Sequence, residues 1–313
     1  MNAFLSIVAP VFLIIGLGAV SARMGFFRGE AQKTLSLYVF YCALPCYLFL
    51  AMTRVPPALI ADTGYIAAYA ISMAIAGSPG WFLARRVFRR DGSGSLLAAM
   101  GACYANSAYI GIPVIVMAFG QPGPIVMITL FQVIVVLTAV LAGIGIYQKH
   151  GVLSLRALRE IPRAVLLNPI VWGSFLGILF ALQGWQVPVI LERGAQLLGD
   201  AAIPTALFAL GLSLGDKRPP LPTGSRALVY ALVFLKNVVH PAAAFLIGRY
   251  LFHLGEPWLA ALTVIAALPS GMNTFVFAHR YDVFVAESGQ VVFLSSAMSV
   301  FTLSGLLWLF GIG

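Results

Sequence analysis

From Ala3 to Ala22 the chain runs without a charge, and nine comparable apolar stretches follow it. About 20 apolar residues suffice for a helix to cross a bilayer core, where lipid offers no partner to an unpaired N–H or C=O. Such a chain is restricted to helices that satisfy their own backbone. Short alternating strands, the mark of an outer-membrane barrel, are absent. The stretches are 3–22, 34–53, 64–84, 95–119, 124–147, 165–183, 196–214, 227–252, 257–279 and 289–311. With 61% hydrophobic and 9% charged residues, the sequence predicts an all-α polytopic membrane protein, 1–313 forming a single integral membrane domain. Ala19-Val20-Ser21 is similar to a signal-peptidase site. Residues 1–6 lack a basic side chain and the apolar run is long, so the first stretch reads as a span.

Lysine and arginine settle the expected orientation. Fifteen of the 19 lie in the connections after odd-numbered spans, from Arg23 to Arg280. Arg54, Arg193 and Arg249 lie on the other side, and Lys236 is inside a span. The positive-inside rule then puts both termini on the non-cytoplasmic side. The net charge of +9 is thereby explained by the loops, without nucleic acid as a partner. Cys42, Cys46 and Cys103 read as small packing residues; neither a disulfide, a metal site nor a cofactor is expected.

The sequence also repeats weakly. A shift of 159 places Pro10 on Pro169, Gly18 on Gly177, Pro45 on Pro204 and Phe49 on Phe208. Five spans fall in 1–147 and five in 165–313, so the second copy would be inverted.

Two spans are interrupted. Asn106-Ser107-Ala108-Tyr109-Ile110-Gly111-Ile112-Pro113 breaks span 4, and Pro269-Ser270-Gly271-Met272-Asn273 breaks span 9. Irregular backbone at membrane depth is tolerated where it is buried in protein or lines a cavity. Pro113 and Pro269 are expected to open second half-helices, since proline suits a first helical turn. Both half-helices would then aim positive dipole ends at the midplane. Together with Asn106, Ser107, Tyr109, Gly111, Pro113, Pro269, Ser270, Gly271 and Asn273, that arrangement favours an anion, particularly a carboxylate. Proline kinks with polar side chains joining helices are the plainer reading. Lys236 lies deep in span 8, with His240 one turn on. It either serves the substrate, stands in for a coupling cation, or pairs with Asp200. Pro45 and Pro204 are candidates for the apolar wall of the site, with Tyr41, Tyr47 and Thr205 at its edge.

These residues resemble the auxin efflux carrier family of plant auxin exporters and bacterial malonate and malate permeases. Residues 106–113 are similar to its span-4 crossover, and Ala267-Leu268-Pro269-Ser270-Gly271 through Tyr281 to its span 9. Leu235-Lys236 with His240-Pro241, and Leu198-Gly199 through Pro204 and Leu207, are similar to spans 8 and 7. The resemblance implies ten transmembrane helices as two inverted five-helix repeats with crossed helices 4 and 9. Helices 1, 2, 6 and 7 would form a dimerising scaffold, and 3–5 with 8–10 a transport domain. It implies elevator-type movement of a small organic anion, a mono- or dicarboxylate, across a bacterial cytoplasmic membrane. The long cytoplasmic loop of the plant exporters is replaced here by residues 148–164.

Other classes fare less well. An intramembrane aspartyl protease needs two embedded aspartates, and only Asp200 is available. No His-Glu-x-x-His or phosphate-binding loop occurs, and the one Gly-x-Ser-x-Gly match, Gly211 to Gly215, closes the apolar span 196–214 rather than following a strand as a nucleophile elbow requires. Export of an auxin-like hydrophobic carboxylate, and a non-transporting receptor on the same fold, remain alternatives.

Overall fold

In the computed structural model, residues 9–27, 30–54, 63–148, 169–215, 221 and 224–312 are described. The beginnings of the first and sixth expected spans, and most of the loop at 148–164, lie outside them. Regular structure among the described residues is helical: α1 (Ala9–Met24), α2 (Ala31–Thr53), α3 (Thr63–Val87), α4 (Gly92–Cys103), α5 (Ser107–Phe119), α6 (Gly123–Tyr147), α7 (Pro169–Gln183), α8 (Val189–Gly215), α9 (Ser225–Leu251), α10 (Trp258–Ala267), α11 (Met272–Tyr281) and α12 (Val285–Leu309). Six of these, α2, α3, α6, α8, α9 and α12, are long and apolar enough to cross a membrane. Large apolar side chains face outward along them and on α1, as at Leu17 (54% exposed) and Phe301 (78%). This is a multi-pass membrane protein, whose solvent on that belt is lipid.

Proline shapes several of the long helices. A π turn spans Val39–Ala43, Ser107–Gly111 and Leu235–Val239, and Pro45, Pro113 and Pro241 each follow two residues later. A proline ring crowds the carbonyl four residues back and donates nothing to it. The wider turn relieves both problems without ending the helix.

Contacts sort the helices into two bundles. In one, α1 packs along α8 and α7 along α2. In the other, α3 packs on α4 and α9, α4 on α6, and α12 on α9 and α11. The first bundle is closed by missing side chains. A Cβ on Gly18 would lie 2.3 Å from the Phe208 carbonyl, and one on Gly177 would lie 2.4 Å from the Phe49 carbonyl. These are the residues that the shift of 159 superposes, and each glycine of one half sits on the phenylalanine of the other. Small residues at a helix crossing let backbones approach, which is how helices gain packing in lipid.

A second duplication appears where α3 and α9 end. Each finishes in a π turn, Leu83–Val87 and Ile247–Leu251. A left-handed residue follows, Arg89 (φ 51°) or His253 (φ 49°). The Arg90 N–H then donates to Ala84 O, and the Leu254 N–H to Gly248 O, both at 2.8 Å. At the first of these ends Arg90 also reaches the buried Glu287 carboxylate (2.5 Å), which accepts from Ser225 (2.8 Å), tying the starts of α9 and α12 to the α3–α4 turn.

Candidate functional site

α4 stops at Cys103 and α5 starts at Ser107; α10 stops at Ala267 and α11 starts at Met272. The two gaps lie side by side. Ala105 and Ser270 form an antiparallel bridge, in which the Asn106 N–H donates to Pro269 O (2.8 Å) and the Gly271 N–H to Tyr104 O (2.9 Å). Each break supplies the backbone partner that the other lost, which meets the requirement of a lipid-excluded interior. Gly271 is needed there because a Cβ would fall 2.5 Å from the Tyr104 ring.

The half-helices begin differently from the sequence expectation. α5 already starts at Ser107, with Asn106 as its cap: Oδ1 accepts from the Tyr109 N–H at 3.4 Å. Pro113 follows the π turn, at the head of the α-helical part Ile112–Phe119. Pro269 lies in the gap and α11 starts at Met272. The Asn106 cap satisfies one free N–H of the first turn of α5, whereas α11 starts after Gly271 without a side-chain cap.

Between the breaks and the first bundle is a cavity of about 270 Å³. Tyr104, Asn106, Ser107, Tyr109, Gly271 and Asn273 line it, with Phe40 and Leu44 of α2 opposite. Asn106 is 3% exposed, and its Nδ2 has no hydrogen-bond partner. Asn273 Nδ2 donates to the Tyr104 hydroxyl (3.0 Å), which leaves the phenol proton for a ligand. The Ser107 hydroxyl is already committed to Gln132 Oε1 (2.7 Å). Among the described residues one charged side chain lines the cavity, Arg280 near the end of α11. Uncommitted donors, two helix N-termini and a cation are groups of the kind that attract negative charge.

The remaining expected residues are elsewhere. Gly111, Pro113, Pro269 and Ser270 are buried behind the cavity. Gly111 packs on Leu268 and Ile125, and the Ser270 N–H donates to Ser295 Oγ (3.0 Å). Pro45 lies in the α2–α7 contact, where a Cβ on Gly173 would fall 2.4 Å from its carbonyl. Pro204 is exposed and Thr205 half-buried, and neither lines this cavity. Tyr47 lines a separate cavity near Arg54 and Gln121.

Lys236 does not pair with Asp200. Asp200 is exposed, and its carboxylate accepts from Gln196 Nε2 (2.6 Å). Lys236 is fully buried, with Nζ 2.6 Å from Ala266 O and 3.3 Å from His240 Nδ1. From there a polar string runs to the site. The His240 ring lies 5.4 Å from that of Tyr69, whose hydroxyl accepts from Gln132 Nε2 (3.0 Å), and Gln132 receives Ser107. Sequence reasoning missed Tyr104, Gln132 and Arg280. Tyr104 directly precedes the interrupted motif, and Gln132 is a lone amide inside an uncharged span; both were visible signals.

Long apolar helices around an anion-suited cavity at two paired helix breaks are the architecture of a membrane transporter. The chain belongs to the family described as membrane transport protein, whose model matches residues 3–153 and 148–307, and its similarity to auxin efflux carriers falls within that family. It is 28% identical to the "Putative malonate transporter" of Rhizobium meliloti (strain 1021), over 99% of this chain and 96% of that one. It is 24% identical to the uncharacterized transporter YfdV of Escherichia coli (strain K12), over 99% and 98%. Auxin efflux carrier component 8 of Arabidopsis thaliana is 27% identical over 44% of this chain and 38% of its own.

Proposed function

We propose that this protein is a secondary transporter, without a chemical step of its own, that carries a small organic anion, a mono- or dicarboxylate such as malonate or malate. The observation that carries this reading is the unpartnered Asn106 Nδ2 between two half-helix N-termini, in a cavity whose charged side chain is cationic. The name of the Rhizobium relative points to the same substrate class. Ten helices in two inverted repeats, 1–147 and 165–313, are supported by the reciprocal Gly18–Phe208 and Gly177–Phe49 contacts. They are supported also by the matched ends of α3 and α9. The bundle of α1, α2, α7 and α8 serves as a dimerising scaffold and the other bundle as the transport domain, which moves in an elevator manner. The substrate cavity, set between Phe40 and Leu44 on one side and Asn106 and Asn273 on the other, fits such sliding. Lys236 acts as a fixed cation behind the crossover. The fifteen-to-three distribution of basic residues supports both termini outside, and the Rhizobium and Escherichia relatives support a bacterial inner membrane.

Uptake into proteoliposomes tests the reading. A panel of mono- and dicarboxylates is offered while proton and sodium gradients are varied independently. Accumulation of at least one small carboxylate is expected. Binding of carboxylates without translocation under any gradient would indicate a receptor.

A further inference from the structure

The sequence treats Arg280 as a topological charge at the end of a span, and the fold gives it a second setting. Asn273, Phe277 and Arg280 fall at i, i+4 and i+7 on α11, one face of the helix, and all three line the cavity. Arg280 is exposed, and it belongs to none of the ion pairs among the described residues. Its recorded contact is the Tyr281 ring, 5.7 Å from the guanidinium carbon. Seven residues at ~1.5 Å each set its Cα about 10 Å along the axis from that of Asn273. Side chains on a helix lean toward its N-terminus, so an arginine released from the Tyr281 ring and turned along the helix can cover much of that rise toward the break. Thr138 and Phe277 line the intervening wall.

We propose that Arg280 is the second anchor of a two-point site and selects dicarboxylates over monocarboxylates. This rests on the reading of Asn106 and the half-helix N-termini as the anchor for the first carboxylate. A guanidinium presents a planar fork that matches a carboxylate in two parallel hydrogen bonds. A monocarboxylate of the same length leaves that fork unfilled, whereas a short dicarboxylate satisfies both ends of the cavity. The position of Arg280 in the last turn of α11 also suits the helix dipole, but that role would not distinguish one ligand from another.

The test measures binding of malonate and of its monoamide, which keeps the shape and loses one charge. The parent should prefer malonate by about tenfold or more, the scale of hydrogen bonds to a charged group. Arg280→Gln should bring the two ligands within about threefold of each other, chiefly by weakening malonate, and Arg280→Lys should retain part of the preference. Asn106→Ala should weaken both ligands alike. An undiminished malonate preference in Arg280→Gln, or no preference in the parent, overturns the role of Arg280 while leaving the first anchor intact. Unchanged binding of both ligands in Asn106→Ala removes the first anchor and the two-point site with it.

Discussion

Lys236 Nζ donates to the carbonyl of Ala266 at 2.6 Å, one residue before α10 ends. A helix that stops inside a protein leaves its last carbonyls without intrahelical donors, and a cation there is favoured by the dipole. The buried ammonium is thus explained by the break in span 9 itself.

Lys236→Met should therefore fold but lose roughly 1–3 kcal/mol of stability, the cost of a stranded buried acceptor. Thermal melting in detergent measures it. Adding Asp200→Asn should restore nothing, because Asp200 is exposed and bonded to Gln196. Recovery of stability and transport in the double variant would return Lys236 to a pairing with Asp200.

The reciprocal glycine contacts make a prediction about the first bundle. Gly18→Leu and Gly177→Leu should each force apart two backbones that now meet, costing ~1–3 kcal/mol or more. Gly16→Leu on the same helix faces open space and should be neutral. Equal melting temperatures for all three variants would deny that these glycines set the crossing.

Much of this was legible in the sequence. Apolar length gave the helical membrane class and the six long helices, because lipid leaves a spanning chain few alternatives. Asn106, Gly271 and Asn273 stood out because polar and conformationally special residues interrupted an apolar run. What the sequence could not carry was azimuth. Asp200 was judged by its depth in a span, yet it faces outward beside Gln196, one turn away. Arg280 looked like one more loop charge, although its helix face turns it to the cavity. Pro113 and Pro269 marked the breaks but not the first helical residues: α5 starts at Ser107 on the Asn106 cap, and Pro269 lies in the gap where its carbonyl accepts from the Asn106 N–H. Gln132 joins Ser107 to Tyr69 across helices distant in sequence, and no local pattern reports such a contact.

Topology is open to labelling in a background without Cys42, Cys46 and Cys103. A cysteine at Gln121 should react with an impermeant reagent from outside, and one at the exposed Arg86 should not. Gly92 is unsuitable as the inner probe, because a Cβ there would meet the Tyr147 ring at 2.1 Å. Labelling of Arg86→Cys from outside would reverse the assigned orientation.

The anion site itself is tested most directly by titrating the purified protein with malonate and comparing Asn106→Asp with the parent. Aspartate keeps the oxygen that caps the Tyr109 N–H and replaces the unpartnered Nδ2 donor with a negative charge. The parent should bind and Asn106→Asp should lose about tenfold to a hundredfold in affinity while retaining its oligomeric state. Binding of malonate by Asn106→Asp at parental affinity would contradict an anion held between the two half-helices.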